Sequence, residues 1–158
     1  MRIVIQRARG AGVEIDGHVN AEFQGLGYLI LLGIEGTDTL EDVDWLVRKV
    51  AALRVFDDEN GVMNRSILDI AGEQEGADGN IIVVSQFTLF ASYKKGNRPS
   101  WFRAARHEIS VPLYERFCIK LSEALGKPVG TGVFGAEMKV ELLNDGPVTI
   151  CMDTKNKE

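Results

Sequence analysis

The chain has 158 residues, 45% of them hydrophobic and 26% charged, and a formal net charge of −5 at pH 7. That length and balance suit one globular domain able to bury its own core, and the acidic sum argues against sequence-blind binding along a nucleic-acid backbone. No apolar run approaches the roughly 20 residues needed to cross a bilayer, and Met1 leads into Arg2 and a charged segment instead of a secretory signal, so a soluble cytoplasmic protein with no membrane partner is expected.

Residues 2–9 alternate loosely between apolar and polar, Gly10 and Gly12 break the pattern, and residues 13–15 resume it, which predicts two strand pieces. Asp16-Gly17 is a hairpin-turn signal, and the apolar run 27–34 suits the centre of a sheet. Thr37, Asp38 and Thr39 offer N-cap side chains, Glu41 stands three residues after Asp38, and Leu40, Val43, Leu46, Val47, Val50 and Leu53 recur at helical spacing. An amphipathic helix with one buried face is expected there. Residues 54–56 read as a short strand. The acidic turn 57–61 lacks the alternating oxygen ligands and distant glutamate of a calcium loop and reads as a solvated turn, and the acidic, Gly-rich stretch 72–79 reads as a surface loop.

Ile81, Ile82, Val83 and Val84 predict a central strand that runs straight into Ser85-Gln86-Phe87-Thr88-Leu89-Phe90, so polar Ser85, Gln86 and Thr88 end a dry strand. Residues 94–106 carry Lys94, Lys95, Arg98, Arg103 and Arg106 with no acid, a local +5 against −10 for the rest of the chain; an anion has somewhere to dock, though a solvated loop has the same composition. Leu113, Tyr114, Phe117, Cys118, Leu121 and Leu125 predict a second helix over 111–125, with Pro112 in its first turn and Gly126 just past its end. Strands near 129–134, 138–143 and 148–153 follow. The last two flank Asn144-Asp145-Gly146-Pro147, which on these residues alone reads as a turn that happens to contain proline.

This order predicts an α+β fold: a single domain over 1–158, its tail from about 154 loose, with a mixed or largely antiparallel sheet system, layered or barrel-like, and two main helices packed on one side. Neither a Gly-x-Gly-x-x-Gly fingerprint nor a phosphate loop is present, which disfavours a doubly wound nucleotide fold. Cys118 and Cys151 offer no disulfide framework or metal knuckle, and both read as buried small hydrophobes. His18 beside a turn and His107 in the basic stretch both read as surface histidines, and no Gly-x-Ser-x-Gly elbow occurs. No metal site and no cofactor are expected. What remains is a site of hydroxyls, an amide and backbone N–H groups around Ser85, Gln86 and Thr88, better suited to a labile ester than to an amide, or else a set of polar groups that merely satisfy a sheet edge.

Taken together, RIVIQRA at the start, LRVFDDENGVMNRSILD in the middle, SQFTLF at 85–90, KGNRPSW at 95–101 and VFGAEMKVELLNDGPVT at 133–149 resemble the D-aminoacyl-tRNA deacylase family, over nearly the whole chain. The resemblance implies hydrolysis of the ester between a D-amino acid, or glycine, and the 3′-terminal adenosine of tRNA, in a homodimer whose Ser-Gln-Phe-Thr-Leu strand faces the partner's Gly-Pro motif. It implies that Ser85, Gln86, Phe87 and Thr88 carry the first motif, and that Gly146 and Pro147 carry the second with a cis peptide whose main chain rejects L side chains. Catalysis is then assisted by the ribose 2′-hydroxyl, with Thr88, Ser85 and Gln86 as positioners; a threonine nucleophile has also been considered for the family, but nothing evident in the sequence activates Thr88. Phe87, Phe134 and Met138 are candidates to line the adenosine pocket, Arg7 to brace the Gly-Pro loop through its carbonyls, and Lys94, Lys95, Arg98, Arg103 and Arg106 to meet tRNA phosphates. A noncatalytic nucleotide or amino-acid binding module and a generic threonine-dependent esterase are the rival readings.

Overall fold

The alternation of the first 33 residues becomes one long antiparallel hairpin in the computed structural model, which describes residues 1–72 and 79–158. The elements in chain order are β1 (Arg2–Ile15), β2 (His18–Gly33), α1 (Leu40–Ala52), β3 (Phe56–Asp57), β4 (Met63–Arg65), α2 (Ile67–Ala71), β5 (Asn80–Ser85), a 3₁₀ turn (Phe87–Phe90), α3 (His107–Leu125), β6 (Gly130–Thr131) and β7 (Lys139–Asp153). Asp16 (φ 50°) and Gly17 (φ 78°) make the hairpin turn with the paired positive φ values that match strand twist. The glycines expected to divide the first strand do not end it. Gly10, at φ 145°, sits where the β1–β2 register shifts, so the strand bends and continues.

The sheet has five strands in the order β6-β5-β2-β1-β7; β1 is antiparallel to both neighbours, while β2–β5 and β5–β6 are parallel. It is open, with β6 and β7 as its edges, so the fold is the layered α+β arrangement and not a closed barrel. α1 and α3 pack against each other and cover one face. Ile3, Ile5, Ile30, Leu32, Leu46, Phe117 and Leu121 fill that core at 2% exposure or less, each contributing on the order of 1.5–3 kcal/mol by leaving water. On the other face Ala11, Val13 and Phe23 from the far half of the hairpin pack with Leu29, Ile82 and Val84. For those residues to touch, the sheet must curl on itself, and Asn20 Nδ2 donates to Thr131 O (2.7 Å) at the closing edge.

Several expectations are corrected at the level of elements. The stretch after Val84 is not a strand throughout: Phe87–Phe90 turns as a 3₁₀ helix, so strand β5 ends at Ser85. α3 starts at His107, which places Pro112 inside the helix, where it forgoes one backbone bond. Gly126 ends it in the left-handed conformation (φ 72°). The first helix is capped by Thr39 and Asp42, Thr39 N donating to Asp42 Oδ2 (2.9 Å), and not by the Asp38–Glu41 pair. Asp38 instead receives the Met1 ammonium (2.5 Å) and Glu35 N (2.8 Å). Cys118 is buried as expected but Cys151 is exposed. α2, opened by a Ser66–Asp69 capping box, went unread in the sequence. Of the stretch 72–79, expected to be a surface loop, residues 73–78 lie outside the described residues. The tail from 154 is held at its start: Thr154 is buried, its N–H donates to Met1 O (2.9 Å), and Lys155 pairs with Asp42 (2.8 Å).

The largest revision concerns Asn144-Asp145-Gly146-Pro147. Residues on both sides pair with the same strand, β1, so the break is not a hairpin. Gln6 faces Thr149 and Ala8 faces Asn144, so two steps along β1 oppose five along β7, and the extra residues loop out of the edge strand. The Gly146-Pro147 peptide is cis and Gly146 has φ 119°. Among the described residues no helix is long and apolar enough to cross a membrane.

Candidate active site

β2 and β5 run parallel, pair through Leu32 and Ser85, and end side by side. Chain leaving such strand ends opens a crevice there, the usual place for a ligand beside parallel strands. The 3₁₀ turn is fixed over the end of β2 by Gln86 N donating to Leu32 O (2.8 Å) and by Arg2 Nη1 donating to Leu89 O (3.1 Å). Gly33 permits this: a Cβ there would stand 3.0 Å from Gln86 O and 3.1 Å from Leu89 Cβ.

Beside the turn lies a cavity of about 560 Å³, of a size to take a nucleoside. Ser85, Gln86 and Phe87 form one wall, Ala104, Ala105, His107 and Ser110 another, and Phe134, Met138 and Val140 a third. Phe134 is fixed edge-on against both His107 (centroids 5.2 Å) and Tyr114 (5.8 Å), while the Tyr114 hydroxyl donates to Val83 O (2.8 Å). Phe87 is exposed and meets the Trp101 ring edge-on at 5.4 Å. The structure thus brings five of the candidate residues together, Ser85, Gln86, Phe87, Phe134 and Met138.

Thr88 does not line this cavity. Its hydroxyl accepts from Gln86 Nε2, and Gln86 is its only side-chain hydrogen-bond partner among the described residues. Among the described residues no histidine, lysine or carboxylate is hydrogen-bonded to it, ready to take its proton. Burial pushes the Cys118 thiol up to about 12, which rules it out as a nucleophile at neutral pH. Among the described residues no group of His, Cys, Asp and Glu side chains could hold a metal ion.

Gly146 and Pro147 are exposed on the β7 bulge, outside the wall of the cavity in their own chain. Arg7 reaches that bulge from β1. Its Nε donates to Asp145 O (3.2 Å) and lies 3.0 Å from the Asp145 carboxylate, while Nη1 donates to Val55 O (2.6 Å). Of the five cations, Lys94, Lys95, Arg98 and Arg106 are exposed and form no ion pair among the described residues. Arg103 differs: it pairs with buried Glu35 (3.0 Å) and lies 5.3 Å from the Phe90 ring centre, so it ties its loop down.

Ser110, Ala104 and Ala105 were not singled out in the sequence. His107 is exposed, as expected of a surface histidine, and the start of α3 at His107 instead of 111 puts it and Ser110 one turn apart on the face that closes the cavity.

A family model described as D-Tyr-tRNA(Tyr) deacylase matches residues 4–153. The chain is 65% identical to a D-aminoacyl-tRNA deacylase of Bacteroides fragilis over 158 residues, all of both chains, and 65% identical to one of Bacteroides thetaiotaomicron with the same coverage. It is also similar to the solved structure of a c-Myc DNA unwinding element binding protein, with 36% identity, a TM-score of 0.85, and 98% of this chain and 99% of that one covered.

Proposed function

The chain belongs to the D-Tyr-tRNA(Tyr) deacylase family and is a hydrolase of the aminoacyl-tRNA ester bond, and from that premise we propose a chiral proofreader that releases D-amino acids and glycine from tRNA and spares L-aminoacyl esters. The terminal adenosine enters the cavity between Phe87, Phe134 and Met138, which places the ester carbonyl beside Ser85, Gln86 and the backbone of the 3₁₀ turn. The Gly146-Pro147 bulge of one copy faces this mouth in a second copy. Its main chain captures the α-ammonium and leaves no room for an L side chain, whereas a D side chain points away and glycine has nothing to exclude. Support for the homodimer comes from the edge strand that carries the bulge: Val140, Leu142 and Leu143 of β7 are exposed, an apolar stretch of the kind that partners cover. Lys94, Lys95, Arg98 and Arg106 take tRNA phosphates, and the site of action is the cytoplasm, where aminoacyl-tRNA is used.

The observation that carries the catalytic reading is the placement of Thr88, off the cavity wall with Gln86 as the one side chain hydrogen-bonded to its hydroxyl among the described residues. The hydroxyl that assists hydrolysis is therefore the substrate's own ribose 2′-hydroxyl; Ser85 and Gln86 hold the ester in place, and Thr88 acts through the Gln86 amide, from which its hydroxyl accepts. Replacing that 2′-hydroxyl of D-tyrosyl-tRNA with hydrogen should slow deacylation at least about 100-fold, the range of a lost proton-transfer catalyst, while Thr88→Ala keeps the rate within about tenfold. The opposite pattern would establish a threonine nucleophile.

A further inference from the structure

Three large aromatic side chains crowd the loop beside the cavity: Tyr93 is 76% exposed, Phe102 77% and Trp101 38%. A single exposed aromatic is ordinary, but three within ten residues, interleaved with cations, give up apolar burial without any gain to the fold. The loop that presents them is anchored. Ser92 and Ser100 exchange backbone hydrogen bonds (2.8 and 2.9 Å), Ala105 N donates to Ile34 O (2.9 Å), and Arg103 pairs with Glu35. Trp101 lies against Phe87, which is itself part of the cavity wall, so the aromatic surface starts at the cavity mouth and leads away from it.

We infer that Trp101, Phe102 and Tyr93 form a stacking platform for the unpaired nucleotides that precede the terminal adenosine of the substrate, with Lys94, Lys95, Arg98 and Arg106 on their phosphates. The inference rests on the deacylase reading of the cavity and adds the part of the tRNA that the protein grips. Stacking is what selects this occupant. A duplex shows phosphates but hides its base faces, so exposed rings gain nothing from it, whereas a single strand offers both a π-face and a charge at every step. Four cations free of ion pairs among the described residues supply the matching charge in a chain that is otherwise acidic.

The test compares D-tyrosyl-tRNA with D-tyrosyl-adenosine, the same ester without preceding nucleotides. Phe102→Ala and Tyr93→Ala should each raise KM for the tRNA roughly tenfold relative to KM for the adenosine ester, with kcat on the tRNA held, and Phe102→Trp should restore it. An equal change on both esters, a change in oligomeric state, or no change on either overturns the platform. Binding of a labelled unpaired RNA ending in CCA, followed by anisotropy, needs no turnover: Phe102→Ala should weaken it roughly tenfold, with a log–log salt slope near about −3 for the wild type. A blunt RNA duplex bound as tightly as the single strand, or no RNA binding, contradicts the inference. If the wild type cleaves neither ester, the deacylase reading fails while the RNA measurement still decides the platform.

Discussion

The Arg7 guanidinium joins three segments of the chain: β1, which carries it, the Val55 carbonyl just before β3, and the Asp145 carbonyl and carboxylate at the β7 bulge. It is 6% exposed, and the Val55 and Asp145 carbonyls accept from it, while the Asp145 carboxylate is shared with Arg9 (2.9 Å). Lysine keeps the charge but cannot span two carbonyls with a planar fork, which leaves at least one acceptor unpaired. Arg7→Lys should therefore lower stability by about 2 kcal/mol, read from the urea midpoint. At this scale the sequence was informative where chemistry is carried by identity: Ser85, Gln86, Phe87, Phe134 and Met138 meet on one cavity. It misled where exposure decides. Cysteine is among the most often buried residue types, yet Cys151 falls on the same face of β7 as Thr149, opposite Val148, Ile150 and Met152, which pack against the core, and is left exposed.

The pairing of β2 with β5 creates the paired strand ends on which the cavity depends, and Gly27 is the residue that lets these strands meet. A Cβ there would stand 2.2 Å from Asn80 O and 2.9 Å from the Phe23 ring. Gly27→Ala must push β5 or Phe23 aside, at a cost of about 2 kcal/mol, and should lower Tm by roughly 4–8 °C in a thermal melt. An unchanged Tm would mean that the pairing yields without cost. Strands and helices were legible from their periods, and the unbroken apolar run 81–84 fits a strand buried on both faces, as parallel strands are, but nothing in those residues names β2 as the partner. The 3₁₀ turn at Phe87–Phe90 and the β7 bulge were hidden for a related reason. Both are set by what the segment packs on, Gly33 in one case and β1 in the other, and not by local propensity.

For the whole molecule, the α+β class followed from the order of elements, because two amphipathic helices must cover one face of a sheet and here α1 and α3 do. The relation between the cavity and Gly146-Pro147 did not follow from any segment, since the bulge lies outside the cavity of its own chain. In the proposed dimer the two meet across the interface, and the main chain of the bulge becomes the surface that reads the configuration of the substrate's α-carbon. Deacylation of D-tyrosyl-tRNA and L-tyrosyl-tRNA by the same purified protein tests this most directly. The D ester should be cleaved at least about 100-fold faster, because an L side chain meeting fixed backbone costs at least about 3 kcal/mol; equal rates on the two esters would contradict the filter.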